Sequence, residues 1–384
     1  MAIYSIIIII LLVLFLIEQK GASRKKNNVL FYISASLVFF IMAFRGENVG
    51  GDMIEYVHFW EGKSDSYGTY KTPALGLEYE PGLSWLCHFM RLFNNGQPWF
   101  FVFFTSFFTL VPILYLIWRD SKYKVLSVLF YMVMWGLLDI TYTALRQVIG
   151  VSLCLIAYIL WTSEFSNKKV KIGLIISILL FAISFHTVVY FGIPAYIAVL
   201  FIKKVHKKAS VVTLLTSFAL TFVFSDIVIE LFSRIENFTS GFTFLFRYDQ
   251  YFTNKYELNR DAIGLQQLVT TLIVCCIVIM SKEDDKRSAF TINSLVIGCS
   301  LLNIFASFPN ASRFLYPLLF AGIVSSPHYL NKKAYSIYKL IFLTLIMILS
   351  LHRVYYWQMS YADRQSDAYL YSQMFPYNFI WEDK

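Results

Sequence analysis

The sequence has few charged residues for its length: Asp, Glu, Lys and Arg make up 15% of the 384 residues. A soluble globular domain carries about 25% charged residues. Hydrophobic residues make up 58% of the chain, and its mean hydropathy is +0.59. These values exclude an ordinary soluble fold and predict an integral membrane protein.

Cysteine and phosphate-binding motifs are also scarce. The five cysteines form no Cys-x-x-Cys pair, no Cys/His spacing of the zinc-binding kind and no recognisable disulfide framework. The sequence contains no Gly-rich phosphate loop followed by Lys, which argues against an ATP-driven machine. We therefore expect no cofactor.

Apolar runs long enough to cross, or nearly cross, a bilayer recur along the whole chain. They lie near 3–17, 29–44, 98–118, 124–138, 140–161, 171–185, 187–202, 210–224, 265–281, 289–306, 312–328 and 335–351. The pattern predicts an all-α polytopic protein with about twelve transmembrane helices. Residues 1–352 would form a single helical membrane domain, and residues 353–384 an aromatic-rich C-terminal tail.

Lys and Arg are concentrated in every second connection between these runs. Twenty of the 33 Lys and Arg residues lie in six short connections. Positively charged loops stay in the cytoplasm, so this pattern places both termini outside. The net charge of +9 is then explained by topology, and we expect no nucleic-acid partner. The outer side carries the long segments, which are the loops 45–97 and 225–264 and the tail 353–384.

Ionisable residues recur at the outer ends of the apolar runs, although a charge near hydrocarbon is costly. Taken alone, each residue has a purely structural explanation, such as a snorkelling arginine, a helix cap or a hydrogen-bonded core histidine. Their convergence on one face favours a functional site instead. The candidates are Arg45, Asp52, Glu80, Arg146, His186 and Arg313, with Tyr56, Gln147 and Tyr316 beside them.

The arginines suit an anionic group, because a guanidinium grips a phosphate with two parallel hydrogen bonds. Arg146 is predicted about a turn and a half inside the fifth run, with Asp139 on the same helical face as a structural partner. Arg313 is predicted in the first turn of the eleventh run, three residues before Tyr316, where a helix N-terminus adds to an anion site.

The other candidates suit proton transfer or sugar binding. Asp52 is a natural helix N-cap, and Tyr56 would share a face with it one turn later. Glu80 precedes an amphipathic stretch in which Leu83, Leu86, Met90 and Phe93 have the spacing of one helical face. We expect this stretch to lie along the outer interface or to re-enter the bundle. His186 lies between two apolar runs, where a neutral imidazole accepts a proton at physiological pH.

Taken together, these motifs resemble those of the EpsG family, the Wzy-type polymerases of bacterial exopolysaccharide and O-antigen. The resemblance runs from about residue 30 to 320. The chain has Gly50-Gly51-Asp52 where the family pattern has Gly-Thr-Asp. The motifs are Arg45…Val49-Gly50-Gly51-Asp52…Tyr56, Glu80 with Leu83 and Leu86, Leu145-Arg146-Gln147, Ser184-Phe185-His186, and Arg313…Tyr316.

The resemblance implies a glycosyltransferase with a GT-C-like helical bundle in the bacterial inner membrane, with its active site facing the periplasm or the outside. It would join oligosaccharide repeat units carried on undecaprenyl pyrophosphate. The implied partners are the lipid-linked donor and acceptor, membrane lipid and a chain-length regulator. A lipid-linked glycan flippase or transporter and an O-antigen ligase stay open as alternatives.

The resemblance also suggests roles for the candidate residues. His186, Glu80 or Asp52 could accept the proton of the acceptor hydroxyl. We favour His186 or Glu80 as the base, with Asp52 orienting the acceptor. The pyrophosphate and sugars would contact Arg45, Arg146, Gln147, Arg313, Tyr56 and Tyr316. Guanidinium groups can take the place of a divalent cation, so we expect no metal.

Overall fold

The chain is helical wherever the computed structural model describes it, apart from turns and one isolated antiparallel bridge between Arg45 and Phe379. This confirms the all-α prediction for that part of the chain. The described residues are 2–20, 24–47, 49–50, 52–63, 81–94, 96–202, 204–239, 264–282, 286–306, 311–325, 327–364 and 379.

Each predicted apolar run overlaps at least one helix. The helices are α1 (Ala2–Gln19), α2 (Arg24–Ala43), α3 (Met53–Glu61), α4 (Gly82–Arg91), α5 (Pro98–Asp120), α6 (Lys124–Val133), α7 (Leu137–Thr143), α8 (Leu145–Thr162), α9 (Lys168–Phe185), α10 (Thr187–Leu200), α11 (Lys207–Thr239), α12 (Leu265–Ile279), α13 (Lys286–Ile304), α14 (Ala311–Gly322) and α15 (Ser336–Arg364).

Four stretches of helix in the described residues are long and apolar enough to cross a membrane: Lys25–Ala43, Pro98–Asp120, Leu145–Thr162 and Lys333–Tyr355. The pair α6 and α7 makes a fifth if it is counted as one span bent by 63°. The helices α1, α12 and α13 contain apolar stretches that are shorter. Four or five candidate spans are therefore present by length and composition, and the count of twelve and the GT-C-like arrangement stay predictions.

The stretch from 124 to 161 differs from the sequence prediction of two separate spans. Trp135 and Gly136 have left-handed backbone angles, with φ of 49° and 66°, and they separate α6 from α7. A second break at Ala144, with φ −106° and ψ 62°, separates α7 from α8. The predicted depth of Arg146 is therefore wrong: it is the second residue of α8, not a turn and a half inside a span.

Two helices continue into segments that the sequence suggested were loop or tail. α11 extends through 225–239, and α15 extends through 353–364. Neither extension contains Pro or Gly, the residues that most strongly disfavour a helix interior. Greater polarity therefore marks where the apolar run stops, but the helix does not stop there.

Contacts within the chain define two compact units. The first comprises Met1–Ala198, Ile323–Ser326 and Ser350–Lys384, and the second comprises Val199–Gly322 and Pro327–Leu349. That residues 1–352 form a single domain stays a prediction.

In the first unit, the end of α1 meets the starts of α2 and α6. The Glu18 carboxylate in α1 accepts a hydrogen bond from the backbone N–H of Val125 in α6, at 3.2 Å. The Lys124 ammonium donates to the side-chain oxygen of Asn28 in α2, at 2.7 Å. This end of the unit therefore carries the predicted cytoplasmic basic connections.

The ends of α5 and α8 lie at this basic end too. The Arg119 guanidinium at the end of α5 donates to the carbonyl of Ile159 near the end of α8, at 3.1 Å. Arg45 follows the end of α2, and Arg146 lies at the start of α8. Both therefore lie at the opposite end of the same helices, which we call the arginine end of the first unit.

A buried polar network joins α11, α12 and α13 in the second unit. The Asn303 amide donates to Ser217 Oγ at 3.1 Å and to Thr271 Oγ1 at 3.2 Å. Its side-chain oxygen accepts from Gln267 Nε2 at 3.0 Å, and its backbone carbonyl accepts from Thr221 Oγ1 at 2.8 Å. Such interhelical hydrogen bonds hold helices together where the hydrophobic effect contributes little.

Candidate functional site

Arg45 is fully buried at the arginine end. Its guanidinium carbon lies 4.4 Å from the centre of the Tyr142 ring in α7, and its Nη2 lies 3.9 Å from the sulfur of Met53 in α3. A desolvated cation over an aromatic face gains about 2 kcal/mol. The fold therefore holds a positive charge where α2 ends, α3 begins and α7 ends.

The turn before α3 packs directly on the end of α7. Gly50 has φ +121°, a conformation open to glycine and costly for other residues. A Cβ at this position would lie 2.2 Å from the backbone oxygen of Tyr142. The Tyr142 hydroxyl in turn donates to the carbonyl of Ile41 in α2, at 3.1 Å. Glycine is thus required at position 50 for this close backbone approach.

Asp52 occupies the N-cap position of α3, as predicted, but its exposed side chain makes no capping hydrogen bond. One turn later, the buried Tyr56 hydroxyl oxygen accepts hydrogen bonds from the guanidinium and the backbone N–H of Arg146. Burial raises the pKa of Tyr56 above its usual value; the Arg146 cation opposes this shift, and the Asp52 carboxylate adds to it. Both charges act on the same phenol, so the side chains of Asp52 and Arg146 lie near Tyr56.

The first turn of α8 supplies two of the predicted residues. Arg146 and Gln147 are both buried there, immediately after the break at Ala144. The N-terminal turn of a helix presents backbone N–H groups and the positive end of the helix dipole. Arg146 therefore adds its charge to an end of the helix that already favours anions.

An apolar cluster joins the elements that carry these residues. It places Phe185, the last residue of α9, with the starts of α8 and α4. Its members are Met53, Tyr56, Val57, Trp60, Leu83, Cys87, Met90, Phe100, Phe101, Val102, Leu145, Ile149 and Phe185. Arg146 directly follows Leu145, and His186 directly follows Phe185, so both flank the same cluster.

His186 is half-buried between α9 and α10. The preceding residues touch the start of α4: a Cβ on Gly82 would lie 2.8 Å from both Ser184 Oγ and a ring carbon of Phe185. Glu80 comes two positions before Gly82 in the sequence and lies outside the described residues, so its role stays a prediction.

The amphipathic stretch around α4 matches its predicted pattern in part. Leu83 and Met90 are buried, and Leu86 packs against the apolar cluster. Phe93 lies beyond the end of α4 and is exposed, so the predicted stripe stops one turn early. The buried face of α4 explains how this segment is attached to the first unit.

Arg313 and Tyr316 lie in α14, within the second unit. α14 begins at Ala311, so Arg313 is in its first turn, as predicted. Arg313 is half-buried and Tyr316 is buried, with its ring 5.9 Å from that of Phe320. The structure thus brings Arg45, Asp52, Tyr56, Arg146, Gln147 and His186 to one unit, and it places these two residues in the other.

A third buried arginine at the arginine end was missed in the sequence analysis. Arg353 in α15 forms an ion pair with Asp139 in α7, and both belong to the first unit. The prediction that Asp139 and Arg146 share a helical face is wrong, because the break at Ala144 puts them on different helices. Arg353 lies just beyond the last predicted apolar run, so the rule that selected the other arginines could have found it.

The described residues provide cationic rather than metal-binding chemistry at this end. In that part of the chain, no three His, Cys, Asp or Glu side chains group closely enough to hold a metal ion. The five cysteines are buried and form no disulfide. The groups available to an anion are guanidinium groups, a phenol and the first turn of α8.

The fold and this arrangement define a multi-helix membrane protein with buried arginines at the ends of its helices. A family model described as the EpsG family matches residues 28–379, nearly the whole chain. The chain belongs to the EpsG family, a family of Wzy-type polymerases, which confirms the resemblance seen in the sequence. It is a membrane protein of the exopolysaccharide or O-antigen polymerase type, in general terms a glycosyltransferase. No match to this chain is found among curated proteins or solved structures.

Proposed function

We propose that this protein joins oligosaccharide repeat units carried on undecaprenyl pyrophosphate, on the outer face of the bacterial inner membrane. The observation that carries the proposal is the burial of Arg45 and Arg146 at the same end of the first unit, with Arg146 bonded to Tyr56. Buried guanidinium groups are costly unless they serve a partner or a ligand. A lipid pyrophosphate is a ligand of matching charge and geometry.

The reaction transfers a glycan from one lipid carrier to a new unit. A hydroxyl oxygen of the acceptor sugar attacks the anomeric carbon of the donor and forms the new glycosidic bond. The bond from that carbon to the pyrophosphate oxygen breaks, and its electron pair leaves with the lipid pyrophosphate. Arg146 and Arg45 would stabilise the negative charge that develops on this leaving group.

The acceptor hydroxyl must also lose its proton. His186 or Glu80 would accept it, and Asp52 would orient the acceptor. A half-buried histidine beside the apolar cluster suits the role, since an imidazole exchanges protons near neutral pH. Gln147 of the first unit and Arg313 and Tyr316 of the second unit stay proposed substrate-binding residues.

The position of the polar groups favours transfer over transport. A secondary transporter typically binds its substrate near the bilayer midplane, between repeated halves of the fold. Here those charged candidates that the structure describes lie at helix ends, and the sequence shows no internal repeat. An O-antigen ligase uses similar chemistry, and only its product distinguishes it from a polymerase.

The test is deletion of the gene followed by analysis of cell-surface glycans on a gel. Accumulated single repeat units support a polymerase. Long chains that remain on the lipid would indicate a ligase, and lipid-linked units trapped on the inner face would indicate a flippase. Either of the last two results would contradict the proposal.

Arg146 provides the residue-level test of the same proposal. We expect Arg146→Lys to insert normally and to lower polymerisation about 100-fold, because a point charge cannot reproduce the planar fork of a charge-stabilising donor. The matched control is Arg119→Lys at the basic end of the same helices, which should retain long chains. Normal polymer in Arg146→Lys would remove Arg146 from the site.

A further inference from the structure

The Asp139–Arg353 ion pair lies outside the proposed chemistry and needs its own explanation. The Arg353 side chain is 4% exposed and the Asp139 side chain 22% exposed. Asp139 is in the first turn of α7, and Arg353 is in α15. The pair therefore ties α7 to a helix more than 200 positions later in the sequence.

The ion pair lies over the bend that precedes α7. A Cβ on Gly136 would lie 3.4 Å from Arg353 Nη2 and 3.4 Å from Asp139 Oδ2. The neighbouring Trp135 has φ 49°, which is unfavourable for a bulky residue. Such a conformation persists only where surrounding contacts hold it, and the ion pair lies against the adjacent Gly136.

The far end of α7 carries the groups that hold the site arginines. α7 has only seven residues, so Asp139 and Tyr142 are less than one turn apart. The Tyr142 ring supports the Arg45 guanidinium at 4.4 Å. Beyond the break at Ala144, the chain enters the turn that contains Arg146. A rotation of α7 would therefore move both arginines.

We propose that Asp139 and Arg353 are positioning residues for the transfer reaction. Their ion pair fixes α7 at its bend, and through Tyr142 and Ala144 it sets the places of Arg45 and Arg146. Neither residue contacts substrate in this proposal. The inference rests on the proposed function and adds residues that the transfer chemistry did not require.

The stability of the fold and the placement of the arginines can be separated experimentally. Replacing a buried ion pair by apolar residues of similar size is often neutral for stability, because two charges no longer need to be desolvated. The double variant Asp139→Leu/Arg353→Met therefore removes the tie without leaving a single buried charge. The matched control is Arg119→Met/Asp120→Leu, which removes a similarly buried pair at the basic end.

The assay uses the full chain in proteoliposomes with a synthetic undecaprenyl-pyrophosphate-linked oligosaccharide. We expect the Asp139/Arg353 double variant to melt close to wild type while its kcat falls about 10- to 100-fold, as small misplacements of charge-stabilising groups do. Its KM should change much less. The reversed pair, Asp139→Arg/Arg353→Asp, should regain part of kcat, and the control pair should stay active.

Three results would overturn the positioning role: a wild-type kcat in the apolar double variant, no gain from the reversed pair, or a loss of kcat matched by an equal loss of folded protein. A wild-type chain that joins no units would overturn the proposed function, and this inference with it. An active wild-type chain with an equally active double variant would overturn the positioning role alone.

Discussion

Replacing Gly50 by alanine tests how tightly the turn before α3 packs on α7. A Cβ at residue 50 would lie 2.2 Å from the Tyr142 oxygen and 3.0 Å from its carbonyl carbon. Both atoms are backbone, so no side-chain rotation relieves the overlap. The turn or α7 must move, and the Tyr142 ring would move with α7.

The size of the effect follows from two costs. A left-handed backbone costs an L-residue about 1–2 kcal/mol. Forcing an extra carbon into a packed interior costs a further 1–3 kcal/mol or so, for a total of about 2–5 kcal/mol. Gly62 and Gly96 also have positive φ, at 76° and 81°, but nothing lies within 4 Å of a Cβ at either position. Alanine there should cost only the first part, about 1–2 kcal/mol.

The stability of the three variants is compared by unfolding in detergent, monitored by tryptophan fluorescence. Their activity is compared in the polymerisation assay. We expect Gly50→Ala to be the least stable and to lose most activity, because it displaces the ring that supports Arg45. The Gly62→Ala and Gly96→Ala variants should resemble each other and remain active. Equal stability of Gly50→Ala and Gly62→Ala would refute the close approach to Tyr142.

Other contacts of the first unit are open to direct measurement. Tyr56→Phe removes the hydroxyl that is hydrogen-bonded to Arg146. This change should raise KM for the lipid-linked donor about fivefold, the free-energy equivalent of one ordinary hydrogen bond. An unchanged KM would exclude Tyr56 from the site. Burial raises the pKa of Cys87 to about 12, so its thiol should stay protonated at about pH 8.5. Mass spectrometry should therefore show that Cys87 is alkylated far more slowly in folded than in denatured protein. Equal alkylation rates would contradict the burial of Cys87. Ending the chain before Phe379 removes its backbone pairing with Arg45 and should lower the melting temperature, and an unchanged melting temperature would contradict that pairing.

Local signals in the sequence predicted much of the first unit. Apolar runs predicted helices, because a helix satisfies its own backbone hydrogen bonds in hydrocarbon. Asp52 marked the start of α3, and the helix-breaking pair Pro309 and Asn310 in the sequence marked the start of α14. The family resemblance rested on short motifs, and the match over 28–379 confirmed it.

Contacts between distant residues could not be predicted in this way. The Asp139–Arg353 pair and the bridge from Arg45 to Phe379 join residues far apart in sequence, and no local pattern encodes them. The break at Ala144 was also missed, because neither glycine nor proline occurs there and the apolar run continues across it. Tertiary contacts at this point override the local helical preference.

That break determines the chemistry available at the arginine end. In an unbroken helix, the N–H of Arg146 would donate to the carbonyl of Tyr142, four residues earlier. In the structure the Tyr142 carbonyl instead faces Gly50, and the Arg146 N–H donates to the Tyr56 hydroxyl. One interruption thus turns a mid-span arginine into part of a helix N-terminus, where its charge and the helix dipole have the same sign. For a reaction that expels a pyrophosphate, that change places two sources of positive potential where negative charge would develop.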